Sequence, residues 1–173
     1  MKQVIKQLKN YLRMDWERQI TMKKIQIQDL TPDLVKGVEI LMPVETPGYQ
    51  ESYFTWTASP LVAKFQKKEV SGGILEAWHH TPTFTEVETH CDNEMFYFLS
   101  GVALMPFVDV KDGQADLDTA QIVRIQSGTQ IIIAAGKAHF IPVADSEHVT
   151  AVVVSPKMDA PRVSLSEPVE GIK

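Results

Sequence analysis

The sequence predicts an all-β chain folded as a double-sheet jelly-roll barrel. Three observations carry this: short apolar runs of strand length, turn residues at regular intervals between them, and little room for helices after residue 22. The runs in the first half are Ile25 to Ile27, Val38 to Met42, Ser52 to Trp56, Leu61 to Phe65 and Gly73 to Trp78. Thr31-Pro32-Asp33, Thr46-Pro47-Gly48, Ser59-Pro60, Ser71-Gly72-Gly73 and Thr81-Pro82 separate them, and Pro and Gly interrupt helices as well as making turns. The second half repeats the pattern with Met95 to Leu99, Val102 to Val110, Gln121 to Ile125, Gln130 to Ala134 and Val149 to Val154. Closing such strands into a barrel removes the unpaired edges that an open sheet exposes. The Pro-rich stretch from Ser155 to Pro168 reads as an irregular tail over the barrel surface.

A chain of 173 residues has the size of one domain and buries a core without disulfides. The domain division expected is a helical extension over residues 1–21 and a single barrel over 22–173. Met1 to Lys24 carries seven basic residues against Asp15 and Glu17, and Val4, Ile5, Leu8, Tyr11, Leu12 and Trp16 recur at helical spacing. That segment reads as a short basic amphipathic helix, packed on the barrel, on a second subunit or on a membrane surface, or else preceding a natural start at Met22. The net charge of −5 argues against a general nucleic-acid surface. No apolar run approaches the ~20 residues of a membrane span. One cysteine, Cys91, and no secretory pattern make the cytoplasm the expected compartment.

The chemistry-bearing residues fall in two stretches. In Glu88-Thr-His90-Cys-Asp-Asn-Glu94-Met-Phe96, side-chain alternation puts Glu88 and His90 on one face, and a turn brings Glu94 back beside them. In Gly128-Thr-Gln-Ile131-Ile-Ile133-Ala-Ala-Gly136-Lys137-Ala-His139, an apolar strand leads through a Gly turn to a histidine. The spacings are His-x3-Glu-x6-Gly and Gly-x5-Ala-x-Gly-x2-His. Both stretches resemble the two motifs of the cupin superfamily, in which His and Glu side chains hold one metal inside the barrel. On that resemblance His90, Glu94 and His139 are metal ligands, while Glu88 stands where the first cupin His would be. Ala134 and Val143 replace the usual Pro and Asn. Two His and two carboxylates suit one divalent ion of Mn, Fe, Ni or Zn without choosing among them.

Within the cupins, the chain resembles the ureidoglycolate lyase family in three places: Met22-Lys-Lys-Ile-Gln-Ile-Gln-Asp-Leu-Thr, Glu86-Val-Glu88-Thr-His90 with Glu94-Met-Phe96, and Asp112-Gly113-Gln-Ala-Asp116-Leu117-Asp118. It departs at Glu94, where that family has an amide, and at Ala138-His139, where a Trp-His pair is expected. The resemblance implies a small carboxylate substrate and elimination of urea to give glyoxylate. Glu88 is then the catalytic base or a fourth ligand, and Lys137 a partner for the substrate carboxylate. A dioxygenase, an isomerase and a non-catalytic binding cupin remain as alternatives, and a homodimer is expected because the N-terminal apolar stripe needs covering. His148 reads as a solvated turn residue, His79 and His80 as surface or strand-end residues. Cys91 has no assigned role.

Overall fold

The computed structural model describes residues 21–45 and 47–173, so the expected N-terminal helix lies outside the described residues. Fifteen strands follow one another in those residues. The first seven are β1 (Lys23–Gln26), β2 (Gln28–Asp29), β3 (Val38–Leu41), β4 (Tyr49–Gln50), β5 (Thr55–Trp56), β6 (Val70–Trp78) and β7 (Thr83–Glu88). The rest are β8 (Glu94–Ser100), β9 (Val102–Lys111), β10 (Gln114–Gln126), β11 (Gln130–Ile133), β12 (Ala138–His139), β13 (Val143–Ala144), β14 (His148–Pro156) and β15 (Arg162–Ile172). No helix occurs among the described residues. None is therefore long and apolar enough to cross a membrane there.

The strands form a jelly-roll barrel from two facing sheets. The larger runs β1-β15-β7-β12-β9-β10-β2, with β13 also on β9, and the smaller runs β3-β11-β8-β14-β6. Alternation decides which side chains enter. In β8, Glu94, Phe96 and Phe98 point inward and are buried, while Tyr97 and Leu99 point out. Met105, Phe107, Val123, Ile125, Ile131, Ile133 and Val149 complete the core between the sheets. A central member such as Phe98, fully buried, is worth on the order of 3–5 kcal/mol against alanine, from lost transfer energy plus the cavity left behind. The β8–β9 hairpin turns at Gly101 with φ of 73°, and a Cβ there would lie 2.1 Å from the His148 carbonyl oxygen, so only glycine fits.

Four expectations are corrected. The tail is not irregular: Arg162–Ile172 is an 11-residue strand inserted between β1 and β7. Its pairing with β7 shifts register between Ser164 and Val169, and Pro168 sits in that bulge, where the ladder asks for no amide donor. Leu61 to Phe65 forms no strand although its side chains alternate between half-buried and exposed. Its neighbourhood is instead claimed by side chains: Asp92 Oδ2 accepts from the Gln66 and Lys67 amides at 2.8 and 3.0 Å, and Asn93 Nδ2 donates to the Lys64 carbonyl at 3.1 Å. His148 is the half-buried first residue of β14, packed on Trp78 with ring centroids 5.3 Å apart, rather than a solvated turn residue. Of Ser52 to Trp56, only Thr55 and Trp56 are strand, paired with β4.

Candidate metal centre

The cluster inside the barrel draws on both sheets. Register sets Glu88, the last residue of β7, opposite His139 on β12, and Ile133 at the end of β11 opposite Glu94 at the start of β8. Opposed residues on one face have close Cβ atoms, so Glu88 and His139 are neighbours by pairing alone. His90 lies two residues beyond β7, in the loop leading to β8, and completes the group from one end. Glu88, His90 and His139 each offer one ligand atom, all within 4.8 Å of one another. Glu94 reaches both imidazoles, with its Oε2 2.9 Å from His139 Nε2 and 3.5 Å from His90 Nε2.

Two features suit this donor set to a cation. The His90 side chain is 9% exposed, and neither ring nitrogen has a hydrogen-bond partner. Leaving a buried polar group unpaired costs about 1–3 kcal/mol, so an imidazole with two orphan nitrogens beside two carboxylates calls for an electrophile. The second feature is at His139, whose Nδ1 lies 3.1 Å from the Lys137 carbonyl. A carbonyl only accepts, so Nδ1 donates, and in the neutral ring Nε2 is then an acceptor facing the acceptor oxygen of Glu94. A shared proton or a cation reconciles that contact.

The same neighbours polarise the cluster. The imidazole of His90 holds the Glu88 carboxyl below the ordinary carboxylate range against the opposing effect of burial, and His139 and Arg162 add to it. In turn Glu88 raises the His90 pKa, again against burial, helped by Glu94 and the backbone carbonyl of Asp159. The 3.7 Å between His90 Nε2 and Glu88 Oε1 is longer than a hydrogen bond, so their attraction is mainly charge on charge.

Of the residues singled out in the sequence, Glu88, His90, Glu94 and His139 come together. Lys137 goes elsewhere: its side chain is 6% exposed and its Nζ donates to Asp109 Oδ1 at 2.7 Å, in a different cavity lined by Asp33, Lys36, Thr119 and Gln121. His79 is held at the barrel end by the Ala144 carbonyl, 3.1 Å from its Nδ1, and His80 is exposed. Residues that the sequence reading missed line the opening to His90: Lys67, Thr89, Asp159 and Pro161, with Cys91 among them. Lys67 and Asp159 sit in stretches without strand pattern, and nothing in their spacing relates them to the motifs.

A two-sheet barrel with a His and carboxylate cluster in its interior is the class that fold and site define. No protein-family model matches the chain, and no curated protein does. Solved structures with matching segments include oxalate decarboxylase from Bacillus subtilis, at 20% identity over 57% of this chain and 24% of that one, with a TM-score of 0.40. A study of the Mn(II) centers of that enzyme gives 20% identity over the same shares and a TM-score of 0.39. RmlC from Streptococcus suis, in complex with dTDP-D-xylose, matches at 14% identity over 51% of this chain and 44% of that one, with a TM-score of 0.37. The chain thus spans about a quarter of the decarboxylase's length.

Proposed function

We propose that the chain is a metal-dependent lyase that removes urea from ureidoglycolate, a small hydroxy-carboxylate, leaving glyoxylate. The observation that carries the metal part is His90, buried with both ring nitrogens unpartnered and 3.5 and 3.7 Å from the carboxylates of Glu94 and Glu88. His90, Glu94 and His139 would hold one divalent ion of Mn, Fe, Ni or Zn, with Glu88 as a fourth ligand or free to act as base. A bound divalent ion supplies a Lewis acid that orients a substrate carboxylate and makes an adjacent hydroxyl easier to deprotonate.

Glu88 gains support for the base role from its position beside His90 and His139; the imidazole that lowers its pKa keeps it ionised and also makes it a weaker base. It takes the hydroxyl proton; the oxygen electrons form the glyoxylate carbonyl as the C–N bond breaks; the departing nitrogen recovers a proton from Glu88 and leaves as urea. Atoms balance without an oxidant. The barrel walls of Phe96 and Phe107 stand beside His139 and exclude water from its ring. The resemblance of Glu86-Val-Glu88-Thr-His90 to the ureidoglycolate lyase family is what favours this substrate.

Glyoxylate release from ureidoglycolate by metal-loaded protein tests the reading. Release abolished in Glu88→Gln with metal retained supports the base role, whereas loss of metal in that variant makes Glu88 a ligand. Oxygen consumption by iron-loaded protein without glyoxylate release would replace the lyase with a dioxygenase, for which two His and one carboxylate are equally suited. A homodimer belongs to the same proposal: Ile74, Trp78, Tyr97 and Leu99 are exposed on the outer face of the smaller sheet, and sedimentation velocity reads the outcome.

A further inference from the structure

We infer that Lys67 selects negatively charged substrates at the mouth of the His90 cavity. The inference deepens the reading above and rests on it for the identity of the site. The cavity has a volume of about 460 Å³ and is lined by Lys67, Thr89, His90, Cys91, Asp159 and Pro161. Among the described residues Lys67 is the only Lys or Arg on that lining. Its Nζ donates to the carbonyl of Lys157 at 3.3 Å. An ammonium has three donors, so one carbonyl leaves capacity for an incoming acceptor.

Its charge is also unclaimed by contact. Lys67 makes no ion pair within 4.0 Å among the described residues, in contrast to Lys137, which is held by Asp109. Asp159 shares the lining without pairing to it. Asp92 is near, but its oxygens accept from the backbone amides of Gln66, Lys67 and Asn93 rather than from the ammonium. Those bonds serve a second purpose: they fasten the backbone that carries Lys67 to the loop that carries His90, so the ammonium keeps its place at the opening. Inside, Glu88 and Glu94 would balance a divalent ion, and Lys67 adds positive charge that meets an anion on its way in. A small carboxylate is therefore favoured over a neutral amide of the same size.

Cys91 is the only cysteine of the chain, is exposed and lies on the same lining, so it reports the potential there. The experiment compares its alkylation rate by iodoacetate, a small carboxylate, with that by neutral iodoacetamide, on metal-free protein. Any change in thiol reactivity cancels in the ratio. Lys67→Gln should lower the iodoacetate-to-iodoacetamide ratio about threefold, the effect of one unit charge at ~6 Å in water. Lys67→Arg should restore it, Lys36→Gln should leave it unchanged, and 1 M salt should shrink the difference. An unchanged ratio in Lys67→Gln overturns the inference even when metal binding and glyoxylate release are intact. A lowered ratio in a protein that binds no metal upholds Lys67 and removes the lyase reading.

Discussion

His90 and Asp92 stand two residues apart in one loop, both largely buried, and the fold provides for them in opposite ways. Asp92, 2% exposed, accepts from three backbone amides, those of Gln66, Lys67 and Asn93. His90 has no hydrogen-bond partner at either nitrogen. A buried polar group that is fully bonded holds a structure together, and one left unbonded costs stability unless something else binds it. The loop thus joins a fastening to an imidazole without hydrogen bonds, and the first keeps the second in place. The contrast separates residues that serve the fold from residues that serve the site.

The largest expected effect is on metal. Supporting residues around metal ligands typically cost 10–100-fold in affinity when removed, so His139→Ala, which deletes a proposed ligand, should weaken Mn(II) binding by at least about 100-fold in a titration. The fold should survive, as read by far-UV circular dichroism. A contrast at the same loop comes next. In metal-free protein His90→Leu should change Tm little, because deleting two unpaired nitrogens is offset by losing the attraction for Glu88 and Glu94, whereas Asp92→Ala should lower Tm by roughly 5 °C by releasing three amides. Equal losses in both variants would erase the distinction.

A smaller effect follows pH. Burial raises the Asp92 carboxyl, but the amides of Lys67, Asn93 and Gln66 outweigh it and hold it below the ordinary 3.8. Asp145 is likewise below 3.8, with burial opposed by Lys173 and Arg124. A depressed carboxyl stabilises the fold fully above its unfolded pKa and loses that contribution as pH falls through its folded value. The stability gap between wild type and Asp92→Asn should therefore be constant from pH 7 to about 5 and close below 3.8 in chemical unfolding curves. The smallest effect belongs to Lys137→Met. Asp109 is half exposed, so breaking that pair should cost about 1 kcal/mol or less, with no change in metal content.

The barrel was legible where alternation coincided with pairing. Met95 to Leu99 alternates buried Phe96 and Phe98 with exposed Tyr97 and Leu99, Gln130 to Ala134 reads as a strand by its run of isoleucines, and both lie in the smaller sheet. It was illegible where one signal stood for two things. Pro168 reads as a strand breaker, yet it occupies a bulge within β15. Leu61 to Phe65 alternates like a strand, but the Asn93 side chain bonds its backbone at Lys64 and the Asp92 side chain bonds the backbone just beyond it, at Gln66 and Lys67. The four cluster residues were legible because two short motifs hold them at fixed spacing. Lys67 was not, since it reaches the site through a cavity lip formed with residues 157–161, about ninety positions away. Lys137 was assigned to the substrate on its closeness to His139, and proximity in sequence could not reveal the Asp109 carboxylate waiting for it on β9.

The most direct test of the central claim is the metal content of protein purified without chelator or nickel resin, then reconstituted with Mn(II), alongside His90→Ala treated identically. The account expects about one ion per chain in the wild type and a sharp loss in the variant. Equal metal in both, or none in the wild type after reconstitution, would contradict it.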